Sequence, residues 1–170
     1  MESRAIQLYS FGFASLKTFL LGFAFAVGNI VLPQLCHLIP GGGHIFLPIY
    51  FFTLVAAFKY GHRVGLLTAV LSPVVNSLLF GMPVAAMLPV ILVKSVLLAV
   101  FAAYAAANFK RMSLLILLAV VLAYQVVGSL AEWAIVGSLD AALADFRMGI
   151  PGMLLQIFGG YAVIKYLLRN

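Results

Sequence analysis

Apolar runs of helix length fill almost the whole chain, separated by short basic, glycine-rich or proline-rich breaks. Their positions predict six helices, over residues 16–32, 46–58, 63–81, 84–107, 114–135 and 150–167. Each run is apolar nearly all round, the pattern of a helix surrounded by lipid or protein and not of one with a water-facing side. The organising stretch is PGGGHIFLPIYFFTLVAAFKYGHRVGLLTAVLSPVVNSLLFGMP, Pro40 to Pro83. It reads as a glycine-broken loop, an apolar helix, a tight basic turn from Lys59 to Arg63, and a second apolar helix ending at Gly81, which together make a helical hairpin. Pro33, Pro40 and three consecutive glycines predict a long non-helical loop over residues 33–43. Loops of that kind are often lids, so His37, Gly42 and His44 are candidate gate residues.

Composition turns these helices into membrane spans. Of the 170 residues, 65% are hydrophobic and 8% charged, and the mean hydropathy is +1.20. The expected fold is therefore an all-α integral membrane protein, a six-transmembrane-helix bundle forming a single domain over residues 1–170. A net charge of +6 does not point to nucleic acid, because the basic residues stand singly or in pairs between apolar runs. With both termini inside, Arg4, Lys59, Arg63, Lys110, Arg111, Lys165 and Arg169 fall on the cytoplasmic side, and Arg147 alone falls in an outer loop. That asymmetry predicts a multi-pass protein with cytoplasmic termini. A single cysteine, Cys36, excludes an internal disulfide, and with His37 and His44 it lacks metal-ligand spacing, so no metal site or other cofactor is expected.

Polar residues inside the spans carry the chemistry. Lys94 falls about 15 Å into its predicted span, a depth at which an ionised side chain requires a partner or a polar cavity. Glu132 is the natural partner. Gln125, Ser129 and Glu132 share one helix face, and Asn76, Tyr124, Trp133 and Gln156 are further candidate lining residues. Such a set suits a small polar metabolite; the alternative is an internal ion pair that only fixes packing. On the first helix Ala14, Thr18, Gly22 and Ala26 recur at four-residue spacing, a small-residue stripe open either to internal packing or to docking of a partner helix. No HExxH, GxSxG or P-loop pattern is present, which gives no support to catalysis or ATP hydrolysis by this chain.

The order of a small-residue first helix, an outer proline-glycine loop and FLPIYFFTLVAAFKYGHRVGLLTAVLSPVVNSLLFGMP, continuing in EWAIVGSLDAALADFRMGIPGMLLQIFGGY, resembles the substrate-binding S component of energy-coupling-factor transporters. The likeness covers nearly the whole chain. It implies a bacterial inner-membrane subunit that captures a vitamin or related micronutrient from outside. It also implies docking on a transmembrane coupling subunit driven by two ATPase subunits. It makes Asn76, Lys94, Gln125, Glu132, Trp133 and Gln156 lining candidates, His44 a gate residue, and the Gly22–Ala26 stripe the coupling surface. Two other readings are a six-helix scaffold of the rod-shape-determining MreD type and a self-sufficient small-solute carrier.

Overall fold

The computed structural model describes residues 15–169, so Ala14 and Arg4 lie outside the described residues. All regular structure among them is helical. Helix α1 (Leu16–Cys36) leads through a tight turn to the short α2 (Gly42–Phe46) and a single 3-10 turn, Pro48–Tyr50. Then come α3 (Phe51–Phe80), α4 (Leu88–Phe109), α5 (Leu114–Val136) and α6 (Leu139–Met148). The last helix has three parts: α7 (Ile150–Leu154), a π-helical turn over Leu155–Gly159, and α8 (Gly160–Arg169). Five helices are long and apolar enough to cross a membrane by length and composition, with Pro48–Phe80 taken as one of them. Their outward surfaces carry large apolar side chains, such as Leu16, Phe19, Leu20 and Phe23 on α1 and Leu115, Leu122, Val126 and Leu130 on α5. Lipid, not water, is the solvent that suits such a surface.

The α3 run is not straight. Gly61, at φ 83° and ψ −178°, breaks it in a conformation that favours glycine. The chain then folds back, because a Cβ on Gly65 would lie 2.5 Å from the Cβ of Ala57. Asn29 records the same reversal: its Nδ2 donates to Thr53 Oγ1 at 3.0 Å and to Ser72 Oγ at 3.2 Å. In an unbroken helix those two hydroxyls would be about 28 Å apart. The expected hairpin is therefore present, with its turn inside the basic Lys59-to-Arg63 segment.

α1 fills the groove of this hairpin through a polar seam. Asn29 Oδ1 accepts the Phe52 N–H at 2.9 Å, and Asn76 Nδ2 donates to the Asn29 carbonyl at 3.0 Å. Thr68 Oγ1 donates to the Gly22 carbonyl at 3.3 Å, and Gln34 Nε2 reaches Asn76 Oδ1 at 3.5 Å. α3 packs in turn on α4, α4 on α5, and the π-helical turn on α5. Alternate elements place the α1 C-terminus, α2, the start of α4, the end of α5, α6 and α7 at one end of the bundle. Lys59, Arg63, Lys110 and Lys165 lie at the other.

Several boundaries differ from expectation. α1 continues through Pro33 to Cys36, so the expected loop over residues 33–43 shrinks to a turn followed by α2. Proline removes only its own N–H and is tolerated where neighbouring chain covers the site; Pro33 is buried. The fourth helix starts at Leu88, not at residue 84. Residues 139–148, expected as a polar loop, form α6, whose Asp140 and Arg147 make an exposed ion pair at 3.4 Å. An exposed pair of this kind adds little stability.

The seam gives a direct test. Asn29→Leu removes both side-chain donors and the acceptor for Phe52 N–H, and should lower stability by about 1–3 kcal/mol, read as a reduced melting temperature in detergent. An unchanged melting temperature would mean that the seam does not hold α1 to the hairpin.

Candidate functional site

Lys94 and Glu132 meet as the sequence suggests, Nζ to Oε2 at 2.6 Å, with side-chain exposures of 1% and 5%. Lys94 lies shallower than expected. Lys94 is six residues into α4 and Glu132 four residues from the end of α5, about 9 and 6 Å from the same end of the bundle. The later start of α4 accounts for the difference. Gly128, which the sequence reading did not single out, makes the approach possible: a Cβ there would lie 2.7 Å from Lys94 Cγ. The lysine stem therefore crosses α5 at the one position without a side chain, one turn before Glu132. Its apolar methylenes lie on helix backbone while its ammonium reaches the carboxylate.

Below the pair, the face of α5 carries Ser129, Gln125 and Tyr124, all buried. The Tyr124 hydroxyl donates to Gln156 Oε1 at 2.9 Å, and its ring packs on Tyr50 with centroids 5.6 Å apart. Gln156 sits in the π-helical turn, a local widening of the helix common at functional positions. The polar atoms here are not all satisfied. Both amide atoms of Gln125, the hydroxyl of Ser129, Nε2 of Gln156 and, apart from its ion pair, Glu132 Oε2 have no hydrogen-bond partner, although all are buried; the buried Ser95 hydroxyl on α4 is likewise unpaired. Each such group costs about 1–3 kcal/mol unless something bonds to it. The α1–α3 seam, equally buried, has its amides and hydroxyls paired.

α2 packs against α7 at the end of the bundle nearest the pair. Gly152 of α7 lies against the backbone of Phe46 and Leu47, where a Cβ would come within 2.5 Å of the Phe46 carbonyl. Gln156 is one turn further along that helix. Of the expected gate residues, Gly42 is buried against the Cys36 carbonyl, whereas His37 and His44 are exposed. No group of three or more potential metal ligands occurs among the described residues.

The remaining expected site residues fall elsewhere. Asn76 is buried but belongs to the α1–α3 seam, where its amide bonds Asn29 and the Ser72 carbonyl, so it does not join the Lys94 group. Trp133 is 48% exposed and points outward: it follows Glu132 and so lies about 100° round the helix from the buried face. Thr18, Gly22 and Ala26 are buried, with Gly22 against Leu67. The described part of the stripe, Thr18 to Ala26, is thus covered, with Gly22 against the hairpin's second leg, and is not an open docking face. A groove of about 330 Å³ between α4 and α5, lined by Tyr104, Phe109, Leu115 and Ile116, lies at the opposite end and is almost wholly apolar. It has none of the chemistry gathered around Lys94. Comparison with protein-family models, with curated proteins and with solved structures finds no match for this chain.

Removing one member of the ion pair leaves the other charge buried, so Glu132→Gln should destabilise the protein by about 3–5 kcal/mol in detergent denaturation. Lys94→Met combined with Glu132→Gln should recover much of that loss, since a contacting pair is non-additive. Additive effects would show that the two side chains do not interact in solution.

Proposed function

We propose that this protein is a membrane-embedded receptor for a small polar solute, the substrate-binding S component of an energy-coupling-factor transporter. The observation that carries the binding function is the set of unsatisfied buried groups, Gln125, Ser129 and Gln156, on the elements that pack beside a neutralised ion pair. Intramembrane ionisable groups are expensive and mark functional sites by default, and buried amides without partners add to that cost. A scaffold gains nothing from leaving them without partners. The finer assignment rests on the sequence resemblance, which implies a vitamin or related micronutrient as solute. It also implies a coupling subunit and two ATPases as partners, since the chain carries no nucleotide-binding motif of its own.

In this reading the two legs of α3 cross the membrane separately and make a six-crossing bundle. Support comes from the reversal at Gly61 and from Asn29 bridging both legs. The end bearing Lys59, Arg63, Lys110 and Lys165 is cytoplasmic in the bacterial inner membrane, and α2, α6 and the ion pair face outward. The coupling subunit meets a surface other than the Thr18–Gly22–Ala26 stripe, which the chain itself covers.

Two measurements test this reading. In a Cys36→Ala background, an impermeant thiol reagent on intact cells should label His44→Cys and leave His62→Cys unlabelled; the reverse pattern would invert the orientation. Native mass spectrometry of protein extracted from its own membrane should show one bound small polar molecule. A preparation that carries only lipid, with no change of melting temperature across a panel of vitamins, would contradict the receptor function.

A further inference from the structure

We infer that the site takes an uncharged solute with an amide- or ureide-type edge, a carbonyl beside an N–H, in preference to a carboxylate, an amine or a zwitterion. This inference rests on the receptor function proposed above and specifies its substrate class. Lys94 and Glu132 are already each other's counter-charge at 2.6 Å. A charged solute would have to part them and leave one ion without compensation in a low-dielectric interior, a strongly unfavourable exchange. Apart from Glu132 Oε2, whose charge Lys94 already meets, the unused bonding capacity around the pair lies in the neutral groups of Gln125, Ser129 and Gln156.

The donor and acceptor pattern narrows the class. Gln125 is fully buried and offers both Nε2 as donor and Oε1 as acceptor. The complement of a carboxamide edge is another amide edge, which returns one bond to each atom. A carboxylate would satisfy Nε2 but set its lone pairs against Oε1, and an ammonium would do the opposite. Gln156 adds a constraint. Tyr124 occupies its Oε1, so only Nε2 remains, a donor that a second acceptor such as the carbonyl of a cyclic ureide would complete. Ser129, one turn above Gln125 on the same face, can give or take one bond.

The full-length protein in detergent, freed of any co-purified solute, can be examined by ligand-observed NMR and thermal shift. The probes are uracil and 2-imidazolidinone as cyclic ureides, butyrate as carboxylate, butylamine as amine and glycine as zwitterion. The cyclic ureides should bind. Gln125→Leu and Gln156→Leu, each checked for an intact melting transition, should weaken them by about tenfold or more. The charge-free double variant Lys94→Met with Glu132→Gln, also checked for an intact melting transition, should keep the preference for the ureides over butyrate, butylamine and glycine, since in this arrangement the ion pair makes no bond to the solute. Binding of butyrate, butylamine or glycine that disappears in the double variant would overturn the inference and leave the receptor function standing. Failure of both ureides to bind would also overturn it, and combined with the absence of any co-purified solute would remove the receptor function as well.

Discussion

An ammonium and a carboxylate cannot be left apart inside a bilayer, and the contact between Lys94 and Glu132 fixes how α4 and α5 must meet. The contact needs the lysine stem to cross α5 where no side chain intervenes, which is the place of Gly128. Once α4 and α5 are set in this rotation, Gln125 and Ser129 on α5 turn inward with the pair, while Trp133 turns out. The ion pair therefore determines which polar groups share the interior. By itself a buried pair contributes little net stability, because desolvation offsets most of the attraction. Its consequence is geometric, and the unsatisfied amides around it give that geometry a use.

The protein has two polar interiors with opposite character. Between α1 and the α3 hairpin, Asn29 bonds Thr53, Ser72 and Phe52 N–H, and Asn76 bonds back to α1. In lipid such bonds hold helices together where apolar contact alone gives no preference over lipid tails. This half behaves as a frame. Between α4, α5 and the π-helical turn the bonds are incomplete, and α2 packs against α7 at the nearby end. A receptor needs both: a seam that stays closed through binding and release, and an interior whose bonds are completed by the solute.

Much of this was legible from composition and spacing. The all-helical membrane class follows from the apolar runs, the hairpin from the basic break at Lys59 to Arg63, and the ion pair from the two charged residues set within the later spans. Helix rotation was harder to read, because a lipid-facing side is as apolar as a core-facing one and periodicity loses its phase. For that reason the sequence places Trp133 with its neighbour Glu132 although it faces outward, and Asn76 with the Lys94 interior although it serves the α1 seam. The small-residue stripe was legible as a close-packing surface, but not which helix it packs on. Asn29 escaped notice because one amide in an apolar run has no pattern, and Gly128 because its role depends on a side chain from another helix. Pro33 and the α6 segment show the reverse error, local breakers and polarity overridden by tertiary packing.

The central claim is that the polar atoms around the Lys94–Glu132 pair are completed by a solute. An experimental density map of the protein purified from its own membrane, at a resolution that separates ordered water from an organic molecule, tests it most directly. The account predicts a compact solute within hydrogen-bond reach of Gln125 and of Gln156 Nε2, with the ion pair intact beside it. Density showing those amides bonded only to protein side chains or to ordered water would contradict it, and would make this interior a second structural seam.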